Sequence, residues 1–509
     1  MFAQFTARAR GDARWLRRSG ILLAFAALLV VPNCKAQLPQ AGDTTSPPTP
    51  GVGHDYIHAP EETVNPANGS VSIRIPVRVP QGRELTLPLY IAYDSNGAFY
   101  YGQSPGNQQP HYATTTNVPF SLGGWSYTFP MLTYQLVTWT QQYKSGKNYT
   151  CTGSMNYVFQ DPTGNRHSLP LTVAATSGPG GADCGGNNAT QGSEGPILAI
   201  SGLPSWGWGT YPTATVTNGN GTVYSFPGGL ETLPTSVTDR NGNTISISST
   251  SSSATLTDTV GRTAVSVPTF GASTDNISVA GLGAPYAVSW TSASANFTIG
   301  TVNLNPSTYQ DCPTSMSASA SVVSQVALPN GQKYTFSYDP TYGMLKQITY
   351  PSGGSVRYQW GLNTQSEAGG WTASTGSEWY CSYDFPAVTD RWVNDGTKDI
   401  LHQQFSYSTT WNGSTGQWTT KKTIVTTYDL IRNTSFQTIY TYTPVPSPSV
   451  PNPTGGAEGC GITCAIPVEA SIEYYGTDGK LLKTVAKTWC NNDPRELCSV
   501  QTTLDNGDT

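Results

Sequence analysis

Acidic residues and tryptophans alternate along one stretch of this chain. Paired carboxylates can catalyse glycoside hydrolysis, and indole rings beside acids suit sugar binding, because C–H groups stack on rings while hydroxyls bond to acids. The competing interpretation places the tryptophans in strand cores and the acids in loops, and it is favoured. Sugar binding without catalysis comes next. The acids are Glu367, Glu378, Asp384, Asp390, Asp395 and Asp399, and the predicted sugar-binding residues are Trp371, Trp379, Trp392 and Trp411.

Other residue patterns give little support to catalysis or metal binding. The sequence has no H-E-x-x-H zinc motif and no G-x-x-x-x-G-K phosphate loop. His54-Asp55 ends a flexible tether, so a solvated loop is favoured over a base with its orienting acid. Residues 239–243 superficially resemble a calcium loop, but Thr250 stands where a bidentate Glu is needed, which favours a hairpin turn. We predict no catalytic residue, metal or cofactor, and glycoside hydrolysis remains the residual enzymatic hypothesis.

A repeat in the sequence indicates the strands that would position the candidate residues. Pro329-Asn330-Gly331 recurs 22 residues later as Pro351-Ser352-Gly353. Large apolar residues occupy alternate positions after each turn, which places them on one face of a strand. A period of this length is typical of arrays whose units cannot bury their faces alone. The repeat therefore favours a built surface or shell over a catalytic pocket. The alternating residues are Tyr334, Phe336 and Tyr338 in one copy and Val356, Tyr358 and Trp360 in the other.

Similar turns and strands occur elsewhere in the chain. Asn220-Gly221 and Asn241-Gly242 are each followed by apolar residues three and five positions after the glycine. Asn-Gly supplies the positive φ that two-residue hairpin turns require, so these segments predict such hairpins. Strict alternation over residues 70–79 predicts a half-buried strand.

The composition indicates the fold class. Only 11% of the 509 residues are charged, against roughly 25% in an average soluble domain. Glycine and proline are plentiful, at 53 and 37 residues, and tyrosine reaches 28. Gly, Pro, Ser and Thr form helices poorly and suit short strands joined by tight turns. The composition therefore predicts an all-β fold of antiparallel hairpins and β-sandwich-like units.

The first 36 residues predict a targeting segment. Five arginines precede an unbroken apolar run at residues 21–31, which is too short for an ordinary transmembrane helix. A cleaved secretory signal ending at Ala36 is favoured. The alternatives are a lipoprotein signal at Cys34 and a twin-arginine signal at Arg17-Arg18, whose neighbouring residues fit poorly. No later segment is apolar enough to cross a membrane, so we expect a secreted or cell-surface protein of a bacterium.

Removal of the signal would leave an acidic chain. The sequence has 26 basic and 31 acidic residues, and residues 1–36 hold six of the former and one of the latter, so the remainder has a net charge of −10. An acidic chain without a basic patch argues against a nucleic-acid partner.

The cysteines after residue 36 predict disulfides, because an even number in an exported chain favours pairing. Local pairing would join 151 to 184, 312 to 381, 460 to 464 and 490 to 498, although the spacing leaves other connectivities open. Zinc is disfavoured because the thiols lack C-x2-C spacing and no histidine is near. The eight residues are Cys151, Cys184, Cys312, Cys381, Cys460, Cys464, Cys490 and Cys498.

The repeat resembles the YD-repeat, or RHS-repeat, family. Units of that family read as a strand, Tyr-Asp, a Gly turn and then Leu-x-x-Ile-x-x-Pro-x-Gly. Tyr428-Asp429 matches partially, and residues 61–136 resemble the amino-terminal part of such proteins through Asn68-Gly69 and the Gly-Gly-Trp run at 123–125. The repeat-motif residues are Gly331, Tyr338, Asp339, Gly343, Leu345, Ile348, Pro351, Gly353 and Tyr358.

The resemblance implies both a fold and a partner. Proteins of this family build a large hollow β-shell from a spiralling sheet, often around a carboxy-terminal toxin released by self-cleavage. Here the hairpins would lead into a YD-repeat spiral sheet, with Tyr filling the sheet face and Asp bonding the turn backbone. The carboxy-terminal core of the family is missing, so self-cleavage is not carried over. We expect the leading portion of a shell, or a truncated or split product, with a toxin or cargo encoded downstream.

The predicted function is therefore an exported, non-enzymatic β-scaffold that encloses or presents a partner or cargo. The alternative is a carbohydrate-binding surface protein or adhesin that uses the tryptophans between 371 and 411. The predicted segments are a signal peptide (1–36), a tether (37–55), an amino-terminal β domain (56–200), degenerate hairpins (201–310), a YD-repeat region (311–443), a Pro-rich bridge (444–456) and further hairpins (457–509).

Overall fold

The computed structural model describes most of the chain after residue 54, and the described residues belong to one compact unit. The signal peptide, nearly all of the predicted tether and residues 447–464 lie outside them. The described residues are 55, 57–59, 61–101, 110–112, 119–142, 148–169, 173–174, 189–191, 196–201, 212–229, 231–298, 301–303, 315–372, 378–412, 418–446, 465–490 and 496–508.

The all-β prediction is confirmed. Every regular element of the described residues is a strand, and the sheets are antiparallel. In chain order the strands are β1 (Ile57–Ala59), β2 (Glu62–Asn65), β3 (Ser70–Val77), β4 (Leu89–Asp94), β5 (Phe99–Tyr101), β6 (Pro110–Tyr112), β7 (Ser121–Leu122), β8 (Trp125–Tyr127), β9 (Met131–Gln142), β10 (Asn148–Gln160), β11 (Arg166–Leu169), β12 (Val173–Ala174), β13 (Ala189–Gln191), β14 (Ile197–Ser201), β15 (Thr213–Thr217), β16 (Val223–Phe226), β17 (Glu231–Thr232), β18 (Ser236–Thr238), β19 (Thr244–Ser249), β20 (Ala254–Thr257), β21 (Thr263–Val267), β22 (Thr274–Val279), β23 (Tyr286–Thr298), β24 (Thr301–Asn303), β25 (Ser315–Ala327), β26 (Lys333–Tyr338), β27 (Leu345–Thr349), β28 (Ser355–Thr372), β29 (Glu378–Asn394), β30 (Asp399–Trp411), β31 (Trp418–Asp429), β32 (Thr434–Pro446), β33 (Ala465–Tyr475), β34 (Leu481–Trp489) and β35 (Leu497–Leu504).

One long sheet dominates the molecule. It has 22 strands, β13–β16 and β18–β35, which are arranged in chain order, with two additional pairings, β23 with β25 and β24 with β29. Strands that follow one another in both chain and sheet need only short hairpin turns, which the Gly- and Asn-rich sequence supplies. A six-stranded sheet has the order β1-β2-β3-β4-β8-β7, and a five-stranded sheet contains β9–β12 and β17. Strands β5 and β6 pair separately.

One five-residue turn is used eight times by the described hairpins. In each copy the N–H of the fourth residue, a glycine, donates to the carbonyl of the first, and the N–H of the first donates to the carbonyl of the fifth. The eight glycines have φ between +76° and +92°, so each loop has three residues and closes with a glycine bulge. The prediction of two-residue turns is therefore wrong. The copies are residues 161–165, 218–222, 239–243, 258–262, 328–332, 350–354, 476–480 and 504–508.

In seven of the eight copies, an aspartate or asparagine side chain caps the turn from one of two positions. At the first position, the Asp239 carboxylate accepts the N–H groups of Asn241 (2.8 Å) and Asn243 (2.9 Å). At the third position, the Asn330 side chain accepts the N–H of Gln332 at 3.1 Å. The hairpin interpretation of residues 239–243 is confirmed, because the turn joins β18 to β19.

The six-stranded sheet packs against one face of the long sheet, and the two share a hydrophobic core. We call that side of the long sheet the inner face, marked by Arg391 and Gln403, and the opposite side the outer face, marked by Trp392 and His402. Burial alternates along β30, where Gln403 and Phe405 are buried and Gln404 and Ser406 are exposed. This period of two is the one that a half-covered sheet requires.

Candidate functional site

The tyrosine of the Tyr-Asp repeat motif joins the six-stranded sheet to the long sheet. The Tyr338 hydroxyl donates to the Val323 carbonyl at 2.5 Å and accepts the Trp125 indole N–H at 2.7 Å. Trp125 belongs to the Gly-Gly-Trp run and meets Phe336 edge-on, with ring centroids 4.7 Å apart. The motif tyrosine is therefore a docking point for the six-stranded sheet as well as part of the core.

Asp339 caps the turn that follows. Its carboxylate accepts the N–H groups of Thr341 (2.9 Å) and Tyr342 (2.8 Å), and the Gly343 N–H donates to the Asp339 carbonyl at 2.8 Å. Asp429, in the partial match, caps its own turn in the same way through Ile431 and Arg432. The expected role of the motif aspartate is confirmed at both places.

The remaining motif residues build turns and core. Gly331 and Gly353 occupy the left-handed fourth position of their turns, and Pro351 is the second residue of the 350–354 turn. A Cβ on Gly331 would meet nothing within 4 Å, so this glycine is required by its φ of +84° and not by space. Tyr358 is buried on β28, and this burial, assisted by the nearby Glu62 carboxylate, raises the pKa of its phenol.

A buried ion pair connects β2 to β29 across the sheet interface. The Glu62 carboxylate accepts the Arg391 Nε–H at 2.9 Å and an Nη2–H at 2.7 Å, and both side chains are at most 4% exposed. Arg391 Nη1 also donates to Gln403 at 2.8 Å. Burial works against the charge, yet the Glu62 carboxylate raises the pKa of the Arg391 guanidinium. Both groups are fixed by each other, so the pair fastens the sheets and does not supply acid or base.

A second buried charge is held by neutral donors. Asp275 on β22 is fully buried, and its two carboxylate oxygens accept five hydrogen bonds. Tyr127 of the six-stranded sheet and Trp290 of β23 both donate to Oδ2, at 3.2 and 2.7 Å. The other donors are the Thr269 hydroxyl and the backbone N–H groups of Gly271 and Ala272. Asp275 therefore links the two sheets within a cluster of aromatic rings.

Trp392, one of the four predicted sugar-binding residues, lies in a stacked row on the outer face. The row follows the register of β28–β31: Arg357, Trp392, His402 and Tyr428. The Arg357 guanidinium lies 4.5 Å from the centre of the indole, and the His402 ring stacks on it at 4.6 Å with planes 4° apart. These neighbours come from strands on opposite sides of β29, so both faces of the Trp392 ring are covered. A sugar could stack on Trp392 only by displacing one of them.

Polar contacts hold this row in place. His402 Nε2 lies 2.8 Å from Asp390 Oδ1, and Arg357 donates to Asp399 at 2.7 Å. The pKa of the Asp399 carboxyl is lowered, chiefly by the hydrogen bond from Arg357. Two acids of the alternating stretch, Asp390 and Asp399, thus meet Trp392 here, with their carboxylates bound to His402 and Arg357 at the side of the aromatic stack.

The four predicted tryptophans do not lie at one place in the sheet. Trp411 is on β30 nine residues after His402, about 30 Å away at the usual strand rise, and the alternation of β30 places it on the inner face. Trp371 and Trp379 are opposite one another in the register of β28 and β29. The register therefore places the backbones of Trp371 and Trp379 opposite each other and separates these two positions from Trp392 and Trp411. Carbohydrate binding itself stays a prediction.

Cys490 and Cys498 face one another at the end of the β34–β35 hairpin, with their Cα atoms 5.3 Å apart. That separation is within the range for a disulfide, and oxidation of the pair stays a prediction. Cys184, Cys312, Cys460 and Cys464 lie outside the described residues. Cys151 and Cys381 are placed on β10 and β29 by their backbones alone.

Neither metal ligands nor a membrane helix is found in the described part of the chain. No cluster of three or more His, Cys, Asp or Glu side chains there could hold a metal ion. None of its elements is a helix with the length and apolar character needed to cross a bilayer.

Several interface residues were not anticipated from the sequence, namely Glu62, Asp275 and Arg391. A signal was present for Asp275, because it has the same strand parity as Ile277 and Val279 on β22. An acid in phase with buried apolar residues indicates a satisfied buried charge.

Comparison with known proteins adds distant likenesses only. No family model matches the chain, and no curated protein matches it. Among solved structures, crystal structures of TcdB2-TccC3 and TcdB2-TccC3-TEV, each 9% identical, align with 84% and 89% of this chain at TM-scores of 0.18 and 0.22. TcdB2-TccC3 without its hypervariable C-terminal region, 10% identical, aligns with 84% at 0.16. The chain spans 16% to 27% of the length of these proteins. At such TM-scores the likenesses carry no argument about fold or function.

Proposed function

We propose that this chain is an exported, non-enzymatic β-scaffold of the YD/RHS-repeat type, part of a shell or cell-surface structure that encloses or presents a partner or cargo. The observation that carries the proposal is the long sheet, in which 22 strands follow one another in chain order. Each added hairpin extends such a sheet while the strand order stays the same. This arrangement suits the wall of a shell better than a ligand-binding pocket.

The interior chemistry supports a structural role. Glu62 and Arg391 bind each other, and the Asp275 carboxylate is filled by five donors. A catalytic acid or base must instead be free to exchange a proton with a substrate. These buried charges contribute to holding two sheets together.

Export can be tested with the full chain expressed from residue 1 in a bacterium. We expect the protein in the extracellular or surface fraction, shortened by about the length of the signal and cleaved when protease is added to intact cells. A full-length product that stays in the cytoplasm and is protected from external protease would contradict the proposal. The reading frame after codon 509 gives an independent check, since further YD repeats or an adjacent cargo gene are expected there.

Carbohydrate binding is the second candidate, and the facing positions of Trp371 and Trp379 in the β28–β29 register favour it. It predicts retention on a polysaccharide column that Trp371→Ala abolishes. Trp392→Ala serves as the matched control, because both faces of that ring are already covered. Retention that survives Trp371→Ala would refute this assignment of the site.

A further inference from the structure

The chain just before β1 lies against the last hairpins of the long sheet. The Asp55 backbone N–H donates to Glu469 Oε1 at 3.0 Å, and its carboxylate is bonded to Lys487 Nζ. These partners are 414 and 432 residues away in sequence. Glu469 is on β33 and Lys487 on β34, so one residue near the start of the described chain contacts two of its last three strands.

The two partners form a built receptor for Asp55. Their side chains are buried, with 2% of Glu469 and 3% of Lys487 exposed, and the Lys487 ammonium is 4.0 Å from Glu469 Oε2. The Trp489 indole N–H donates to the Glu469 carbonyl at 2.8 Å. Asp55 itself is 47% exposed. Buried charges are costly unless they are paired, so the carboxylate of the half-exposed Asp55 helps to satisfy the buried pair.

Beyond β33, whose Val468 and Ile472 are fully buried, the strands joined to this contact have little other cover. The residues of β34 and β35 are exposed or half-buried throughout. Val500 and Leu504 of β35 are 52% and 46% exposed. A region with few buried apolar contacts opens locally at low cost, and each remaining contact then has a large share in keeping it closed.

We propose that Asp55 is a latch that fastens the β34–β35 hairpin to the amino-terminal segment through Lys487. Release of Asp55 would loosen β34 and β35, while β33, the rest of the long sheet and the six-stranded sheet stay folded. The occupant of the receptor is the segment at residue 55 of this same chain. The latch does not depend on which partner, if any, the scaffold carries.

Hydrogen exchange measured by mass spectrometry on the full chain tests the latch. In Asp55→Asn, the loss of a charge-assisted bond predicts that amides of β34 and β35 exchange about 10- to 100-fold faster, while those of β3 and β4 keep their rates. Asp478→Asn is the matched control, because Asp478 is an exposed acid of the turn before β34 that pairs with its neighbour Lys480. It should leave the exchange rates of β34 and β35 unchanged.

A double variant separates the latch from a general loss of stability. Lys487→Met removes the other partner, so Asp55→Asn added to it should accelerate exchange in β34 and β35 by much less than it does alone. Wild-type exchange of β34 and β35 in Asp55→Asn would overturn the proposal. Equal acceleration in every sheet, or full additivity of the two substitutions, would overturn it as well.

Discussion

At the residue scale, several ionisable groups of this chain hold structural elements together. Asp275 draws Tyr127 and Trp290 together, Glu62 and Arg391 join β2 to β29, and the motif aspartates tie turns. In a chain with only 11% charged residues, a buried charge is conspicuous. Each one described above is matched by donors or by an opposite charge, as burial demands.

Asp275→Asn should destabilise the protein by about 2 kcal/mol or more, because an amide cannot accept all five hydrogen bonds and hydrogen bonds to charged groups are among the stronger ones. The urea midpoint should fall with little change in slope. Asp505→Asn, at an exposed position, is the control and should leave the midpoint where it is. An unchanged midpoint in Asp275→Asn would show that the five hydrogen bonds to the Asp275 carboxylate are not needed for stability.

The turn that begins at Asp395 changes the pKa of the Asp395 carboxyl group. The hydrogen bond from the Thr397 hydroxyl, helped by the N–H groups of Lys398 and Thr397, lowers the pKa of Asp395 to about 2. A lowered pKa means that the turn is stabilised above the ordinary carboxyl pKa and loses that stabilisation as pH falls through about 2. Thr397→Val should raise the pKa of Asp395 toward its usual value, as measured by NMR titration. A pKa that stays near 2 would remove the hydroxyl as the main cause.

At the element scale, sequence patterns foresaw strands better than loops or partners. Alternating apolar residues and Asn-Gly turns led to the hairpins around Gly242 and Gly331, because strand period and glycine conformation are local properties. The extra bulge residue in each turn was missed, since Asn-Gly is compatible with more than one loop length. Which tryptophans meet depends on register: a shift of one residue moves Trp411 to the other face, and no local pattern of the sequence fixes that.

Gly331→Ala should cost about 1 kcal/mol or more, because alanine at φ +84° is strained although the space around it is open. Gly283→Ala, another glycine with open space but without a left-handed φ, should be neutral or mildly stabilising. Thermal unfolding of the two variants compares them directly. Equal melting temperatures would mean that the turn can adopt another conformation without penalty.

At the scale of the whole molecule, the six-stranded sheet and the long sheet form one core. Trp125, Tyr127 and Glu62 reach from the first to contact Tyr338, Asp275 and Arg391 on the second. The sequence did not predict this packing, because the partners are 148 to 329 residues apart and no spacing rule connects them. The Gly-Gly-Trp run and the Tyr-Asp motif were recognised separately, yet their contact emerged only in the fold.

Removing one partner of the buried pair tests this packing. Arg391→Met alone should destabilise the protein by about 3–5 kcal/mol, since Glu62 would be left as a buried charge. Glu62→Leu combined with Arg391→Met should recover most of that loss, because two apolar side chains can replace a buried pair at little cost. Chemical denaturation of the single and double variants gives the coupling. Additive losses would show that the two residues do not act as a pair.

Protease protection tests whether this chain is a scaffold that encloses or presents a partner. The chain would be co-expressed with a candidate cargo, and the complex treated with protease beside the free cargo. Enclosure predicts that the bound partner survives intact, and presentation predicts that it stays bound while remaining cleavable. A partner that neither binds the chain nor gains any resistance would contradict the account.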